Sequence, residues 1–283
     1  MSTRSVLEVV APVSFHYSKD PKVTYEIPAG LALAADEAWC IYGISGSGKS
    51  TLMTLLAALR RFRQGRIRYA FPAEPAVEVS PEGWEDRVGP ELWRRIGFAF
   101  QRPELIRALT VADNLALVAG RASTNGSPLF TSHEWGEIAR SRVGRISGGQ
   151  IQRLGLICAF GPGQSLVFLD EPTNNLDRRN RQAVADLVRD RRKGRALVVV
   201  SHDDDFIRTL DIDRVFEVAE RRQGDGAVRR VLTPADPAAA GRMPNAAVTP
   251  SRRVLHLPQA LESKLTEGGL ARWRSGRLVI DGS

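Results

Sequence analysis

Short, nearly continuous apolar runs alternate with longer mixed segments from Leu7 to about Leu232. Trp39–Tyr42, Leu166–Leu169 and Ala196–Val200 are runs of this kind. Uninterrupted apolar character over so few residues predicts strands covered on both faces, joined by crossover helices. The segments 51–62 and 151–160 read as two of those helices. After about Thr233 the pattern dissolves. Pro234, Pro237, Pro244, Pro250 and Pro258 punctuate an Ala-rich stretch without a sustained period, which reads as a linker over 233–260. The tail, 261–283, has the composition for a short helix and a strand between Leu261 and Ile280. No internal repeat is visible, so the chain carries one copy of whatever site it has.

A chain of 283 residues with 43% hydrophobic and 25% charged side chains has ample material for a core, which excludes global disorder, collagen-like repeats and a coiled-coil rod. Its apolar stretches fall far short of the roughly 18 residues that a spanning helix requires. Arg4 and Glu8 interrupt the first apolar stretch, unlike a secretory leader. Cys40 and Cys158 lie far apart, each in an apolar stretch, and read as buried reduced thiols of a cytoplasmic protein. The formal charge of +8 invites a nucleic-acid reading, but residues 222–283 hold ten basic and five acidic side chains and so supply +5 of it. A basic tail without aromatic stacking pairs is a solvated or surface-docking segment rather than a sequence reader, and no specific nucleic-acid partner is expected.

The chemistry sits in the balanced part. Gly43-Ile44-Ser45-Gly46-Ser47-Gly48-Lys49-Ser50 follows a strand-like run and precedes a helix-like one. That order is the setting of a phosphate loop, in which glycines turn backbone N–H groups inward, Lys49 reaches the β- and γ-phosphates, and Ser50 offers a hydroxyl to Mg²⁺. A second strand, Leu166–Leu169, delivers Asp170 toward the metal and Glu171 toward an attacking water. Between them stands Ile146-Ser147-Gly148-Gly149-Gln150, where Ser147 can cap a helix whose N–H groups face an anion.

Taken in this order, the motifs resemble those of the ATP-binding subunits of ABC (ATP-binding cassette) ATPases over about 7–232. The resemblance implies a P-loop NTPase (RecA-like) α/β core with a mixed sheet, a small antiparallel β subdomain and a helical subdomain inserted at about 102–160, all within a nucleotide-binding domain 1–232. It also implies roles. Gln101 resembles the glutamine that touches Mg²⁺ and the lytic water, and His202 the switch histidine at the γ-phosphate. Asn174-Asn175-Leu176-Asp177 resembles the loop that crosses the dimer interface, and Tyr17 the adenine-stacking aromatic. ATP and Mg²⁺ are then held by Gly43, Ser45 to Thr51, Gln101, Asp170 and Glu171 of one copy and Ser147 to Gln150 of another. The implied partners are a second ABC subunit and an integral membrane permease, which would keep the chain peripheral on the cytoplasmic face of the membrane.

Arg102–Leu105 and Leu109–Leu115 resemble the permease-coupling region of the lipoprotein-releasing and macrolide-exporting group, which also includes members that transmit force without transport. The alternative is a soluble ABC ATPase acting on nucleic acid or ribosomes. The long coiled coil, zinc-binding cysteines or second cassette usual there do not occur, which favours the transporter type. Three departures from the family pattern stand out: Ile157-Cys158-Ala159 lacks the arginine common after the signature, Gly161-Pro162-Gly163-Gln164 replaces the usual connection, and Asp36 occupies a turn position that is commonly glycine.

Overall fold

The structure, a computed structural model, describes residues 5–119, 129–174, 176–235, 271–274 and 277–280, with backbone only for the last two segments and for 118–119. It opens with β1 (Ser5–Tyr17), β2 (Asp20–Ile27), β3 (Ala32–Ala34) and β4 (Ala38–Tyr42), followed by α1 (Lys49–Leu56), β5 (Gln64–Tyr69) and β6 (Val77–Val79). Two single-turn helices, α2 (Trp84–Arg87) and α3 (Pro90–Trp93), lead to β7 (Ile96–Ala99). Then come α4 (Val111–Ala119), α5 (Ser132–Ile138), α6 (Gly148–Ala159), β8 (Leu166–Asp170), α7 (Arg178–Arg191), β9 (Ala196–Val200), α8 (Asp204–Arg208), β10 (Arg214–Arg222) and β11 (Val228–Pro234).

One mixed sheet runs in the order β6-β5-β1-β2-β11-β10-β4-β9-β8-β7, with β3 alongside β1. From β10 to β7 all neighbours are parallel, whereas β1 pairs antiparallel with β2, β3 and β5. This is the expected P-loop α/β core with an antiparallel annex. Every residue of β8 and β9 is buried. Along β4, β8 and β9, Trp39, Ile41, Phe168 and Val198 enter one core, while Cys40, Val167, Leu169 and Val199 enter the other on the opposite face. The two-residue period of a strand thus serves two cores at once, and each aliphatic side chain so buried contributes on the order of 1.5–3 kcal/mol.

The helix expected over 51–62 begins two residues earlier and stops at Leu56. Ala58 takes φ of +51°, the Ala58 N–H donates to the Leu55 carbonyl at 3.1 Å and the Leu59 N–H to the Thr54 carbonyl at 3.0 Å. This is a Schellman stop built without glycine, hence invisible to a search for glycine or proline. The helix expected over 151–160 starts earlier, at Gly148, because Ser147 caps it, and its last turn lies directly on β7. A Cβ on Gly97 would come within 1.8 Å of the Ala159 carbonyl oxygen, so only glycine fits there.

Asp36 adopts the turn conformation usually left to glycine, with φ of +64°. Its side chain compensates locally, because the Gly194 N–H donates to the Asp36 carboxylate. Cys40 is fully buried and Cys158 partly so; both are free thiols, and burial pushes each up to about 12. No helix among the described residues is long and apolar enough to cross a membrane.

The chain divides into two compact units, 1–247 and 248–283. In the second, β12 (Ala271–Arg274) pairs antiparallel with β13 (Arg277–Ile280), so two strands occur in the stretch Leu261 to Ile280 where a short helix and one strand were expected. Residues 236–270, which hold most of the expected linker and the first part of the expected tail, lie outside the described residues.

Candidate functional site

The loop between β4 and α1 places the first group of candidates. Gly43, Gly46 and Gly48 all have positive φ, at 144°, 79° and 103°. At Gly48 space is restricted as well, since a Cβ would meet the Tyr25 ring at 2.3 Å. Lys49 is only 7% exposed and turns back into the loop, donating from Nζ to the carbonyls of Gly43 (2.8 Å) and Ile44 (2.9 Å). Burial lowers the Lys49 pKa, and the nearby Glu171 and Asp170 carboxylates oppose that shift. The Ser47 hydroxyl is buried in the loop without a hydrogen-bond partner. A cradle of turned backbone, a desolvated ammonium and an orphaned hydroxyl fit a polyphosphate.

At the end of β8, Asp170 accepts a hydrogen bond from Ser50 Oγ at 3.0 Å. Burial, and secondarily the neighbouring Glu171 charge, raise the Asp170 pKa. A hard divalent cation between these two oxygens would relieve that burden, so the donor set fits Mg²⁺. Glu171 follows with φ of +48°, a conformation that costs a non-glycine residue on the order of 1–3 kcal/mol. Its N–H donates to the Val200 carbonyl at 2.8 Å, tying this turn to β9. The turn carries the Glu171 carboxylate to His202, whose Nδ1 lies 2.8 Å from Glu171 Oε2.

A cleft of about 610 Å³ brings together Gly43, Ser45, Lys49, Gln101, Glu171, Asn174 and His202, while Gly46, Ser47, Gly48, Ser50 and Asp170 are not among its lining. Tyr42, Ile44, Glu217 and Val218 line it too, although nothing in their residue type or spacing singled them out.

Tyr17 does not line this cleft and belongs to a separate one with Phe15, His16 and Arg60. Its hydroxyl is 3.1 Å from Thr51 Oγ1, and the Arg60 guanidinium sits 4.9 Å from its ring centre. Asp177 is exposed at the N-terminus of α7, where it caps the helix by accepting from the Asn180 N–H at 2.8 Å. Asn175, in the same expected loop, lies outside the described residues.

Ser147 to Gln150 stand apart from the cleft lining, at the start of α6. A reciprocal capping box fixes them: the Gln150 N–H donates to Ser147 Oγ at 3.2 Å, and the Ser147 N–H donates to Gln150 Oε1 at 2.9 Å. Gln150 Nε2 in turn donates to Glu134 Oε1 at 3.1 Å, and Arg153 pairs with the same carboxylate. Burial pushes the Glu134 carboxyl up, but the hydrogen bonds from Arg153 and Gln150 outweigh it and hold the pKa below the usual range. Ser147 and Gly148 remain exposed, so this helix start is open to the outside.

The sequence pattern of the ABC transporter family matches residues 28–174. The lipoprotein-releasing system ATP-binding protein LolD of Anaeromyxobacter dehalogenans is 34% identical over 212 residues, covering 71% of this chain and 85% of that protein. The macrolide export ATP-binding/permease protein MacB of Neisseria meningitidis is 30% identical over 198 residues, covering 67% of this chain, which spans only 30% of MacB. Among solved structures, the dimeric post-hydrolysis state of the ATP-binding cassette MJ0796 bound to ADP and Pi aligns with a TM-score of 0.56 at 21% identity, covering 75% of this chain and 93% of that one. At that identity the likeness speaks to the fold alone. A glycine cradle around a buried lysine, an acidic strand end beside it and this kinship agree: the chain belongs to the ABC transporter family, as an ATP-binding and ATP-hydrolysing subunit of it.

Proposed function

We propose that two cassettes close head to tail on ATP and that the closure drives a separate membrane permease. The observation that carries this reading is the separation of the two anion-facing elements. Lys49 and Ser50 line or adjoin the cleft, while the capped Ser147 turn faces outward from α6 and needs a second copy to meet a phosphate. In this mechanism the backbone N–H groups of 45–51 and the Lys49 ammonium bind the β- and γ-phosphates of the substrate. Ser50, Asp170 and Gln101 would hold Mg²⁺, which would supply positive charge against the negative charge that develops on the transferred phosphate. Glu171 orients and deprotonates the attacking water. His202 holds the Glu171 carboxylate in place through the 2.8 Å contact and faces the γ-phosphate from the same cleft. Tyr17 offers its ring to adenine, and Asp177 meets the opposite copy.

A permease docks, in this reading, on the segment between Gln101 and α4. Asn114, only 4% exposed, clamps that segment: its Oδ1 accepts from the Ile106 N–H at 2.9 Å and its Nδ2 donates to the Ile106 and Thr110 carbonyls. Ile106 on it and Leu117 on α4 are left 51% and 65% exposed, apolar side chains suited to a partner helix. The name of MacB, a macrolide export ATP-binding/permease protein, supports a permease of the exporter type. The test is ATP hydrolysis per chain as a function of protein concentration. Turnover that rises with concentration and then saturates supports a shared site; turnover independent of concentration down to nanomolar chain would refute it. Co-purification from detergent-solubilised membranes with a multi-spanning protein supports the permease, whereas recovery with ribosomes or DNA opposes it.

A further inference from the structure

β2 and β11 are parallel neighbours, and their register places Arg230 directly beside Tyr25. On the other side β10 places Glu220 beside Arg230. The three side chains form a row across the sheet under the phosphate loop. Arg230 Nη1 donates to the Tyr25 hydroxyl at 3.2 Å and to the Gly46 carbonyl at 3.1 Å, and its Nε donates to Glu220 Oε2 at 3.4 Å. The Tyr25 ring closes against Gly48, where a Cβ would overlap it.

The Gly46 carbonyl is the informative partner. In a trans peptide the C=O and the following N–H point in opposite directions, so a carbonyl held outward fixes the next N–H inward. That N–H belongs to Ser47, and it points into the loop, 3.3 Å from the Ile44 carbonyl that also accepts from Lys49. Gly46 itself does not enforce this orientation. A Cβ there would touch nothing within 4 Å, and a glycine backbone turns freely. Arg230 lies far outside every phosphate-binding motif in the sequence, yet it is the side chain that anchors this peptide.

We propose that Arg230, seated by Tyr25 and Glu220, is a positioning residue for ATP binding that keeps the Ser47 N–H turned toward the phosphates. The inference rests on the phosphate-loop reading, and the test separates the two. Mg-ATP kinetics and equilibrium binding of ATP and ADP are measured for Arg230→Ala, Arg230→Lys, Tyr25→Phe and Lys49→Ala. Arg230→Ala raises KM and both dissociation constants by about tenfold, the worth of one well-made hydrogen bond to a charged ligand, while kcat changes less than twofold. Arg230→Lys, which keeps a donor, recovers most of the loss. Tyr25→Phe keeps the ring against Gly48 and removes only the hydroxyl, so it shifts KM in the same direction by two- to threefold. The ratio between wild type and Arg230→Ala is unchanged between 0.1 and 1 M KCl, because an anchored peptide is not screened as a long-range charge would be. The proposal is overturned by a KM for Arg230→Ala within twofold of wild type, or by a ratio that collapses at 1 M KCl. If Arg230→Ala does not fold, Tyr25→Phe decides, and an unchanged KM there counts against the proposal. Should Lys49→Ala leave nucleotide binding intact, the phosphate-loop reading fails; a loss at Lys49 without one at Arg230 removes this inference alone.

Discussion

Lys49 donates to two carbonyls of its own loop, and the phosphate oxygens of ATP would compete with them for its ammonium. Its truncation therefore acts on binding. Lys49→Ala is expected to weaken ATP by roughly 10- to 100-fold, the value of charge-assisted hydrogen bonds lost, with the melting temperature little changed; titration calorimetry checks both. Glu171 acts on a different quantity. With Glu171→Gln, ATP binds as in wild type while steady-state phosphate release falls by on the order of 10²–10⁴, the range for loss of a positioned base. The residues behind both predictions were legible in the sequence because a strand, a glycine run and a helix leave a local signature. Tyr25 and Arg230 left none: 205 positions separate them along the chain, and only the register of β2 against β11 sets them side by side.

Among the elements, α6 carries the most consequence per residue. Its start is held by the capping box and by Glu134 from α5, and its end lies against Gly97 of β7. The serine cap was readable from Ser147 ahead of a helix-like run, but the reciprocal bond from Gln150 and the Glu134 brace belong to the folded geometry and were not. Because Glu134 has a depressed pKa in the fold, its contribution to stability is complete above the unfolded value of about 4.3 and fades as pH falls through the folded value. Urea unfolding should show Glu134→Gln less stable than wild type by about 1–3 kcal/mol at pH 7, with the gap closing below about pH 4. A gap that persists at low pH would mean the ion pair with Arg153 is not its source. At the other end of the helix, Gly97→Ala is expected to destabilise by more than 1 kcal/mol, since the new methyl would have to displace the Ala159 backbone rather than a side chain. Thermal unfolding of that variant reads the effect directly. The stop of α1 at Ala58 escaped the sequence for a related reason: alanine in the left-handed region carries no signal of its own.

For the molecule as a whole, doubly covered strands joined by crossover helices followed from the alternation of apolar runs and mixed segments, and the mixed sheet with its antiparallel annex from the family resemblance, whereas the strand order needed the structure. What joins one copy to another did not follow from it, because the outward face of the Ser147 turn is a property of packing. The claim on which function depends is that ATP is gripped by Lys49 of one chain and the Ser147 turn of a second. Sedimentation velocity with the slowly hydrolysing Glu171→Gln variant in Mg-ATP measures it most directly, alongside Glu171→Gln carrying Ser147→Arg. A shared site makes the first variant sediment as a dimer with ATP and as a monomer without it, and leaves the double variant monomeric although it still binds ATP. A Glu171→Gln chain that stays monomeric while saturated with ATP, or a double variant that dimerises equally well, would contradict it.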